Sequence, residues 1–366
     1  MPKLEYVAQR LLPGHGQSAR TWEENGDRLI AVGHSGDVGD RGTQLLRWTG
    51  TSLQYVARVY THFGAAHLDT WEENTDRLIV AGTQSTMYPD LHIFRWNGSE
   101  LTQEDIGLEF DPSVRGLHTW GENGDRMIGV ATITDNLFHL LRWNGTSVVE
   151  ETTYTLPGSV RSVYSWEENG DRIIAVSYDD PPFFSLLRWN GTSLTEAATY
   201  QLSDLDRDGA GHAIYSWEEN GDRLIITGHP DITALDRGSL TLMSWDGVQL
   251  SEKFVINALL FYWTYDIYGV DYYGSRLIAV GTYGSPYFSL LRWEKDKEEL
   301  NIIDSYELAN DGYGVHPWKE TASDTLIAVA HYSPPGFVLL RARGVPAPIL
   351  SSAQENSNIQ VSWTYP

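Results

Sequence analysis

The sequence predicts an all-β protein that folds as a seven-bladed β-propeller with four-stranded blades. The prediction rests on an internal repeat, because a fixed period of about 50 residues or less is the signature of such arrays. One block reads WEENGDRLI at Trp22–Ile30, and a second reads LLRWTGTSL from Leu45. The copies are spaced 46–53 residues apart, which gives seven repeats. The equivalent position is occupied by Arg28, Arg77, Arg126, Arg172, Arg223, Arg276 and Thr325.

Each repeat is predicted to contain four short strands. In the fifth repeat the first strand is His212–Trp217, and a DRLIAVG-like second strand and an FSLLRW-like third strand follow it in each repeat. The fourth strand follows the NGTSL block, as at Glu196–Leu202. Partial alternation of apolar residues is expected of strands that are covered on both faces. Asn25-Gly26 and Asn144-Gly145 predict two-residue hairpin turns, because both turn positions need positive φ.

The two ends of the repeat array predict how the ring closes. Leu4–Leu11 occupies a fourth-strand position before the first Trp block, and the seventh repeat stops after its third strand at Arg343. We therefore expect the N-terminal strand to complete the last blade, which leaves no free sheet edge there. The predicted domains are the propeller, residues 1–344, and a C-terminal extension, residues 345–366.

Composition fits a folded, soluble chain and excludes several classes of function. Lys and Arg number 26 against 49 Asp and Glu, so the net charge is −23. Such a chain repels phosphate backbones and anionic lipid surfaces, so neither nucleic-acid binding nor membrane insertion is expected. The absence of Cys excludes disulfides and thiol catalysis. The N-terminus predicts no signal peptide, and no apolar run is long enough to span a membrane.

The repeated acidic turns and Trp residues have two interpretations each. Glu23, Glu24 and Asp27 recur in other blades and could form a ring of calcium sites. The sequence favours solvated turns with Asp–Arg pairs such as Asp27/Arg28. The repeated Trp residues could stack on sugars, but a residue at one place in each blade favours packing between blades, so Trp22 is predicted to be buried.

The blades resemble those of known propellers. Strand count and closure resemble WD-type blades, although the Gly-His and Trp-Asp signatures are missing. Gly281–Trp293 and Ala330–Arg341 are similar to propeller repeats of tailed-bacteriophage virion proteins, which join two strands by a short Gly/Ser/Pro-Tyr loop and end in a basic–aromatic pair. The extension, residues 345–366, resembles the first two strands of a fibronectin type III module, of which a whole sandwich needs about 100 residues.

One face of the ring is predicted to carry the recognition site. The EENGD and WNGTS turns lie on one face, here the turn face, and are nearly identical between blades. The opposite face, the loop face, carries loops that vary in length and chemistry, as recognition loops do. The aromatic residues predicted there would form a binding patch. Alternatively, the long loop that contains Phe261–Tyr265 would plug the central channel. The candidate residues are Phe261, Tyr262, Trp263, Tyr265, Tyr178, Phe183, Phe184, Tyr283, Tyr287 and Tyr332.

Catalysis and metal binding are not expected. His34, His229 and His331 share one repeat position, but only blades 7 and 1 adjoin, so they are predicted to be solvent-facing loop residues rather than a metal set. Asp204–Gly209 resembles part of a calcium loop and lacks its distal Glu. No nucleophile elbow or phosphate-binding loop occurs. Neither a cofactor nor a metal is predicted.

The resulting prediction is a non-catalytic recognition or structural protein. The bacteriophage likeness implies a virion component assembled in the host cytoplasm, such as a tail, fibre or decoration protein. Its expected partners are other virion proteins and a glycan or protein of the host surface, with the C-terminal extension docking on a neighbouring subunit. The alternatives are a lectin-like propeller that binds carbohydrate and an intracellular protein-interaction scaffold.

Overall fold

The computed structural model describes residues 3–37, 39–84, 90–110, 112–202, 213–231, 237–258, 263–343, 349–355 and 358–364. All regular elements in these ranges are β-strands, which form seven four-stranded antiparallel sheets and one two-stranded sheet. Radially repeated four-stranded sheets define a propeller, so the predicted seven-bladed fold is confirmed. None of the described segments is a helix long and apolar enough to cross a membrane.

Blades 1 to 3 are simple meanders in which each strand pairs with the next one along the chain. Their strands begin and end close to the repeat blocks. Blade 1 contains β2 (His15–Glu24), β3 (Asp27–Ser35), β4 (Gly42–Trp48) and β5 (Leu53–Tyr60); blade 2 contains β6 (Ala65–Glu73), β7 (Asp76–Thr83), β8 (Leu91–Trp96) and β9 (Leu101–Gln103); blade 3 contains β10 (Val114–Glu122), β11 (Asp125–Thr132), β12 (Leu137–Trp143) and β13 (Val148–Thr155).

Blades 4 to 6 repeat the same meander. The first strand of each blade ends about two residues beyond the repeated Trp position, slightly later than the sequence predicts. Blade 4 contains β14 (Val160–Glu168), β15 (Asp171–Tyr178), β16 (Phe183–Trp189) and β17 (Leu194–Gln201); blade 5 contains β18 (Ala213–Glu219), β19 (Asp222–Asp231), β20 (Arg237–Trp245) and β21 (Leu250–Ala258); blade 6 contains β22 (Trp263–Tyr272), β23 (Ser275–Tyr283), β24 (Tyr287–Glu294) and β25 (Glu299–Glu307).

Blade 7 joins the two ends of the repeat array. Its first three strands are β26 (Gly312–Lys319), β27 (Asp324–His331) and β28 (Gly336–Arg343), and the outermost strand is β1 (Lys3–Leu11). β1 pairs antiparallel with β28. The predicted closure is therefore confirmed. A Cβ on Gly314 would lie 2.4 Å from the Ser18 Cα, so the close approach of blades 7 and 1 requires glycine there.

The described part of the C-terminal extension is a hairpin of β29 (Ile349–Glu355) and β30 (Asn358–Thr364). Ile349 lies opposite Thr364 in this pairing. The likeness of the extension to a fibronectin type III module stays a prediction.

The two predicted hairpin turns differ in geometry. Asn25 and Gly26 have φ of 53° and 85°, as a two-residue turn with positive φ at both positions requires. Gly145 has φ of 96°, whereas Asn144 is not left-handed and begins a four-residue loop between β12 and β13. The Asn144 Oδ1 accepts hydrogen bonds from the backbone N–H of Thr146 and Ser147, both at 3.0 Å. The prediction of a two-residue turn at Asn144 was wrong, because its side chain replaces a backbone acceptor.

The hydrophobic core lies between neighbouring blades. In one cluster Trp22 and Leu29 of blade 1 pack with Ile79 and Phe94 of blade 2, all at most 5% exposed. Second and third strands are covered on both faces, which explains their nearly continuous apolar sequence. The predicted burial of Trp22 is confirmed.

Hydrogen bonds between indole and carboxylate groups lock the blades together. The Trp96 Nε1 of blade 2 donates to Glu24 Oε2 of blade 1 at 3.0 Å, and Trp22 Nε1 donates to the same oxygen at 3.4 Å. The prediction of solvated turns was therefore wrong for the second glutamate of the turn, here Glu24, because its carboxylate accepts hydrogen bonds from buried Trp residues. The described residues show this lock, from a third-strand Trp to the preceding blade, at five interfaces: Trp96–Glu24, Trp143–Glu73, Trp189–Glu122, Trp245–Glu168 and Trp48–Glu320.

Arginine residues reinforce the same interfaces. The Arg77 guanidinium of blade 2 lies 5.4 Å from the Trp22 ring centroid of blade 1, within cation–π range. Arg28 stacks in the same way on Trp318 and forms an ion pair with Glu23, while Asp27 pairs with Arg47. The predicted Asp27/Arg28 pair was therefore wrong, because the Arg28 guanidinium lies across the blade interface on the Trp318 ring.

The two glutamates of one turn provide a direct test of the lock. Glu24→Ala removes the acceptor of two indole N–H groups, so we expect the free energy of unfolding to fall by about 2 kcal/mol. Glu23 is 71% exposed, and its pair with Arg28 is long, so Glu23→Ala should cost less than about 0.5 kcal/mol. Urea denaturation of both variants measures the difference. Equal losses would contradict the structural role of Glu24.

Candidate functional site

The inner strands of the seven blades line the central channel. β2, β6, β10, β14, β18, β22 and β26 contact one another in this order, and β26 returns to β2. Each strand runs from the loop face to the turn face and ends at the repeated Trp block. Two positions of each first strand therefore face the channel at different depths. The deeper position lies two residues before the repeated Trp, or before the residue aligned with it. The shallower position lies five residues before it.

The deeper position forms a channel ring of mixed polar and aromatic residues. Its rings contact their neighbours from blade to blade, with centroids 4.4 Å apart for His118 and Tyr164 and 4.3 Å apart for Tyr268 and His316. Tyr215 links Tyr164 to Tyr268 at 5.6 and 5.4 Å. The channel ring consists of Arg20, Asp69, His118, Tyr164, Tyr215, Tyr268 and His316.

Donors of the fold engage the carboxylates in and beside the channel ring. Arg20 Nη1 lies 3.3 Å from Asp266 Oδ2, which also accepts a bond from the Val315 N–H at 3.0 Å. Burial raises the pKa of Asp266, although Arg20 opposes this shift. Asp69 Oδ2 accepts a bond from the Thr119 N–H at 2.7 Å. Each carboxylate is thus already engaged by a donor of the fold.

The two histidines of the channel ring are held neutral. Burial lowers the pKa of His118 to about 4 and lowers that of His316 well below its ordinary value, and nearby arginines add to both shifts. The Nδ1 atoms lie 3.0 Å from the hydroxyls of Ser165 and Thr21 respectively. These rings therefore serve as uncharged packing groups at neutral pH.

The shallower position is a β-bulge in six blades. The pairing register between first and second strands shifts at the same place in each, which leaves one extra residue unpaired. A bulge re-aims a side chain, here into the channel near the loop face. The equivalent of blade 5, His212, lies outside the described residues. The bulge residues are Gln17, Ala66, Arg115, Arg161, Tyr265 and Tyr313.

The bulge residues surround a cavity of about 490 Å³ above the channel ring. Tyr164 and Tyr268 contribute to its lining from below, and Trp263 and Gln84 contribute from the loop face. A second hollow, lined by Phe63, Arg41 and neighbours in blades 7, 1 and 2, shares Gln17 and Gln84 with the cavity. The cavity therefore continues outward across the loop face.

Aromatic side chains form a continuous row along one side of the mouth. The Tyr265 and Tyr313 rings stack with centroids 4.2 Å apart, and His15 stacks on Tyr332 at 4.0 Å. Tyr332 is 40% exposed and Tyr283, at the other end, is 44% exposed. The aromatic row runs across blades 6, 7 and 1 through Tyr283, Trp263, Tyr265, Tyr313, Tyr332 and His15.

Arginines of blades 3 and 4 line the other side of the mouth. Arg161 forms a bidentate ion pair with Asp179, in which Arg161 Nε lies 2.6 Å from Asp179 Oδ1. Burial lowers the pKa of Arg115, and the neighbouring Arg161 adds to the shift. The mouth is therefore lined by aromatic rings on one side and by two arginines on the other.

The structure describes eight of the ten aromatic candidates and places them differently. Trp263, Tyr265, Tyr283 and Tyr332 come together in the aromatic row, and Tyr287 is half-buried beside the loop face. Phe261 and Tyr262 lie outside the described residues. The structure corrects the exposed placement of the three remaining candidates, because their strand ends turn inward between blades. Tyr178, Phe183 and Phe184 are at most 1% exposed and belong to the core.

The candidate histidines and acidic residues have other roles. His34, His229 and His331 are at most 4% exposed, so the prediction that they face solvent was wrong. They end buried second strands, and burial lowers the pKa of His34 and His331 to about 4. Asp204–Asp208 lies outside the described residues. Within the described part of the chain, no three potential metal ligands form a group.

Sequence reasoning missed Arg115, Arg161, Tyr313 and His15. A signal for three of them was present, because the position five residues before the repeated Trp changes its chemistry from blade to blade while the Trp block hardly changes. That contrast marks a position that the fold does not constrain. His15 precedes the first blade block and offers no such signal.

Comparisons with known proteins show the fold. No family model and no curated protein sequence matches the chain. A structure of BBS1N in complex with ARL6DN, soaked with lead, is 11% identical, with a TM-score of 0.60 over 94% of this chain and 96% of that one. The six-bladed fungal fucose-recognising lectin of Aleuria aurantia is also 11% identical, with a TM-score of 0.52 over 82% of this chain and 97% of that one. At this identity the chain shares a propeller fold with both.

The buried histidines predict how stability depends on pH. The unfolded chain binds a proton at His118 below about pH 6.5, whereas folded His118 stays neutral to about pH 4. The stability that neutral His118 contributes is present above pH 6.5 and is lost as pH falls through this window. The free energy of unfolding of the unmodified protein should fall between pH 7.5 and pH 5. We expect His118→Gln to make this fall smaller by about 2 kcal/mol, as measured by urea denaturation. Exposed His62→Gln is the control, and an unchanged pH dependence in His118→Gln would contradict the assignment.

Proposed function

We propose that this protein is a non-catalytic recognition protein that binds a carbohydrate at the loop-face mouth of its central channel. The observation that carries this proposal is the aromatic row above a polar cavity. Sugar rings present apolar C–H faces to aromatic rings and hydroxyl groups to polar partners. Tyr and Trp match both properties, because each has an apolar ring and a polar end.

The dimensions of the mouth agree with this class of ligand. Small-molecule sites have volumes of about 300–1,000 Å³, and the cavity holds about 490 Å³. Gln17 and Gln84 lead from the cavity to the second hollow. An oligosaccharide that fills the cavity with one end could therefore extend across blades 1 and 2.

The likeness to a lectin supports the proposal at the level of fold. The Aleuria aurantia protein is a propeller that recognises fucose. Propellers therefore can serve carbohydrate recognition. The binding residues proposed for this chain are argued from its own aromatic row.

The acids of the cavity support recognition without catalysis. Asp266 is bonded to Arg20 and to a backbone N–H, and Asp69 is bonded to backbone N–H groups. A general acid or base needs a free route to the reacting atom. Donors of the fold occupy these carboxylates instead.

A protein partner is the second candidate. Tyr283 and Tyr332 are exposed at the two ends of the aromatic row, and exposed Tyr residues are enriched in protein interfaces. BBS1N, a propeller of similar fold, occurs in complex with the protein ARL6DN. Binding of a host-surface protein would use the rim of the mouth and leave the cavity itself free.

We also propose that the recognition takes place on a bacteriophage virion, as part of a tail, fibre or decoration. The support for this context is the resemblance of the blades at Gly281–Trp293 and Ala330–Arg341. In such a protein the loop face would meet the host, and the C-terminal extension would dock on a neighbouring virion subunit.

Carbohydrate binding is tested at the centre of the aromatic row. Tyr313→Ala removes the ring that stacks on Tyr265, so we expect affinity for glycans selected on a glycan array to fall about tenfold. Tyr273→Ala is the matched control, since Tyr273 is 41% exposed in a tight turn on the turn face. Array binding and calorimetry measure both variants. No glycan binding by the unmodified protein, or an equal loss in both variants, would overturn the proposal.

The virion context is tested by sedimentation of the source culture. We expect the chain to co-sediment with capsid or tail proteins at a fixed stoichiometry. Quantitative mass spectrometry of particle and soluble fractions measures this ratio. Recovery in the soluble fraction alone would contradict the virion assignment and leave carbohydrate recognition to stand by itself.

A further inference from the structure

Arg115 differs from the other arginines that line the cavity. Arg20 is paired with Asp266, and Arg161 is paired with Asp179. The Arg115 Nε is buried and has no hydrogen-bond partner among the described residues. A buried cationic donor without a partner costs stability, and in a cavity wall it is available to a ligand.

The charge of Arg115 is compensated only in part, because Asp179, a carboxylate that favours the charged form of Arg115, is itself bonded to Arg161. Arg161 on the adjoining strand adds a second positive charge, although Asp179 is bonded to that arginine. The two carboxylates deeper in the cavity, Asp69 and Asp266, are engaged by other donors. Within the described ranges, the mouth therefore offers the Arg115 guanidinium to an incoming anion, in a protein whose net charge is −23.

The form of this site favours a singly charged planar anion. A guanidinium presents parallel N–H groups that match the two oxygens of a carboxylate. Because Asp69 and Asp266 also line the cavity, a doubly charged phosphate would meet more repulsion than a carboxylate. Tyr265 and Tyr313 line the same cavity and supply a stacking surface for the ring that carries the anion.

We infer that Arg115 binds the carboxylate of an acidic saccharide, such as a uronic acid unit, whose ring packs against Tyr265 and Tyr313. This inference rests on the proposed carbohydrate recognition and names the class of sugar. Arg115 acts as the residue that determines specificity, and the aromatic row supplies affinity for acidic and neutral sugars alike.

The test uses three forms of one sugar and the full chain. The probes are methyl glucuronide, glucose 6-phosphate and methyl glucoside. Matched oligosaccharides of glucuronic acid and of glucose are also used. Calorimetry and NMR titration measure the affinities. We expect the carboxylated form to bind at least tenfold more tightly than the neutral form and more tightly than the phosphate. Equal binding of the carboxylated and neutral forms would overturn the role of Arg115 while carbohydrate recognition stands.

Variants of Arg115 assign the preference to this residue. Arg115→Gln should abolish the preference for the carboxylated sugar and leave affinity for the neutral sugar within about twofold. Arg115→Lys keeps the charge without the planar fork and should retain part of the preference. Arg10→Gln, on outer strand β1 away from the cavity, is the control. A preference that survives Arg115→Gln would overturn the inference.

Two further results separate the inference from its alternatives. Since Arg115 has no hydrogen-bond partner in the described part of the chain, Arg115→Gln should not lower the melting temperature, and a large decrease would show that Arg115 serves the fold instead. A triglutamate peptide should bind no better than methyl glucoside. Arg115-dependent binding of the peptide without binding of any saccharide would overturn both the acidic-sugar assignment and the proposed carbohydrate recognition.

Discussion

The indole–carboxylate lock between neighbouring blades is the interaction on which the rest of the structure depends. At five interfaces between the described blades, a third-strand Trp donates to the second Glu of the preceding blade's turn, as Trp189 does to Glu122 at 2.8 Å. The bond joins a buried donor to a charged acceptor, which makes it stronger than a bond between neutral groups. Arginines such as Arg172, stacked on Trp120, reinforce the same interface. Because the lock sits at the turn face, the sequence there is nearly constant.

This arrangement leaves the sequence of the loop face free to differ from blade to blade. The hydrophobic core lies between the sheets, and the core clusters of the described residues contain none of the bulge residues. Six bulges use this freedom to aim one side chain each into the channel. Rigid scaffolds that carry variable positions are typical of recognition proteins. The aromatic row and Arg115 are therefore features that the fold tolerates rather than requires.

The channel ring lies between the turn face, whose sequence is nearly constant, and the mouth, whose sequence varies. Its buried histidines and tyrosines fill the channel between the constant turn face and the variable mouth, and Arg20 neutralises Asp266 within it. This packing gives the cavity a floor and leaves its carboxylates engaged. Among the residues that the structure describes, Arg115 is thereby the cavity-lining arginine without an ion pair, and this is the basis on which an acidic protein is proposed to bind an anion.

The sequence by itself determined the number of blades, the four strands of each and the closure by β1, because every repeat must bury the same faces against its neighbours. It also pointed to Trp263 and Tyr265 as aromatic residues of the loop face. It misplaced Tyr178, Phe183 and Phe184, since alternation does not tell an inward strand end from an exposed loop. Only the tertiary structure joined Arg115 of blade 3 with Tyr313 of blade 7, because ring closure and the bulges bring residues about 200 positions apart to one cavity.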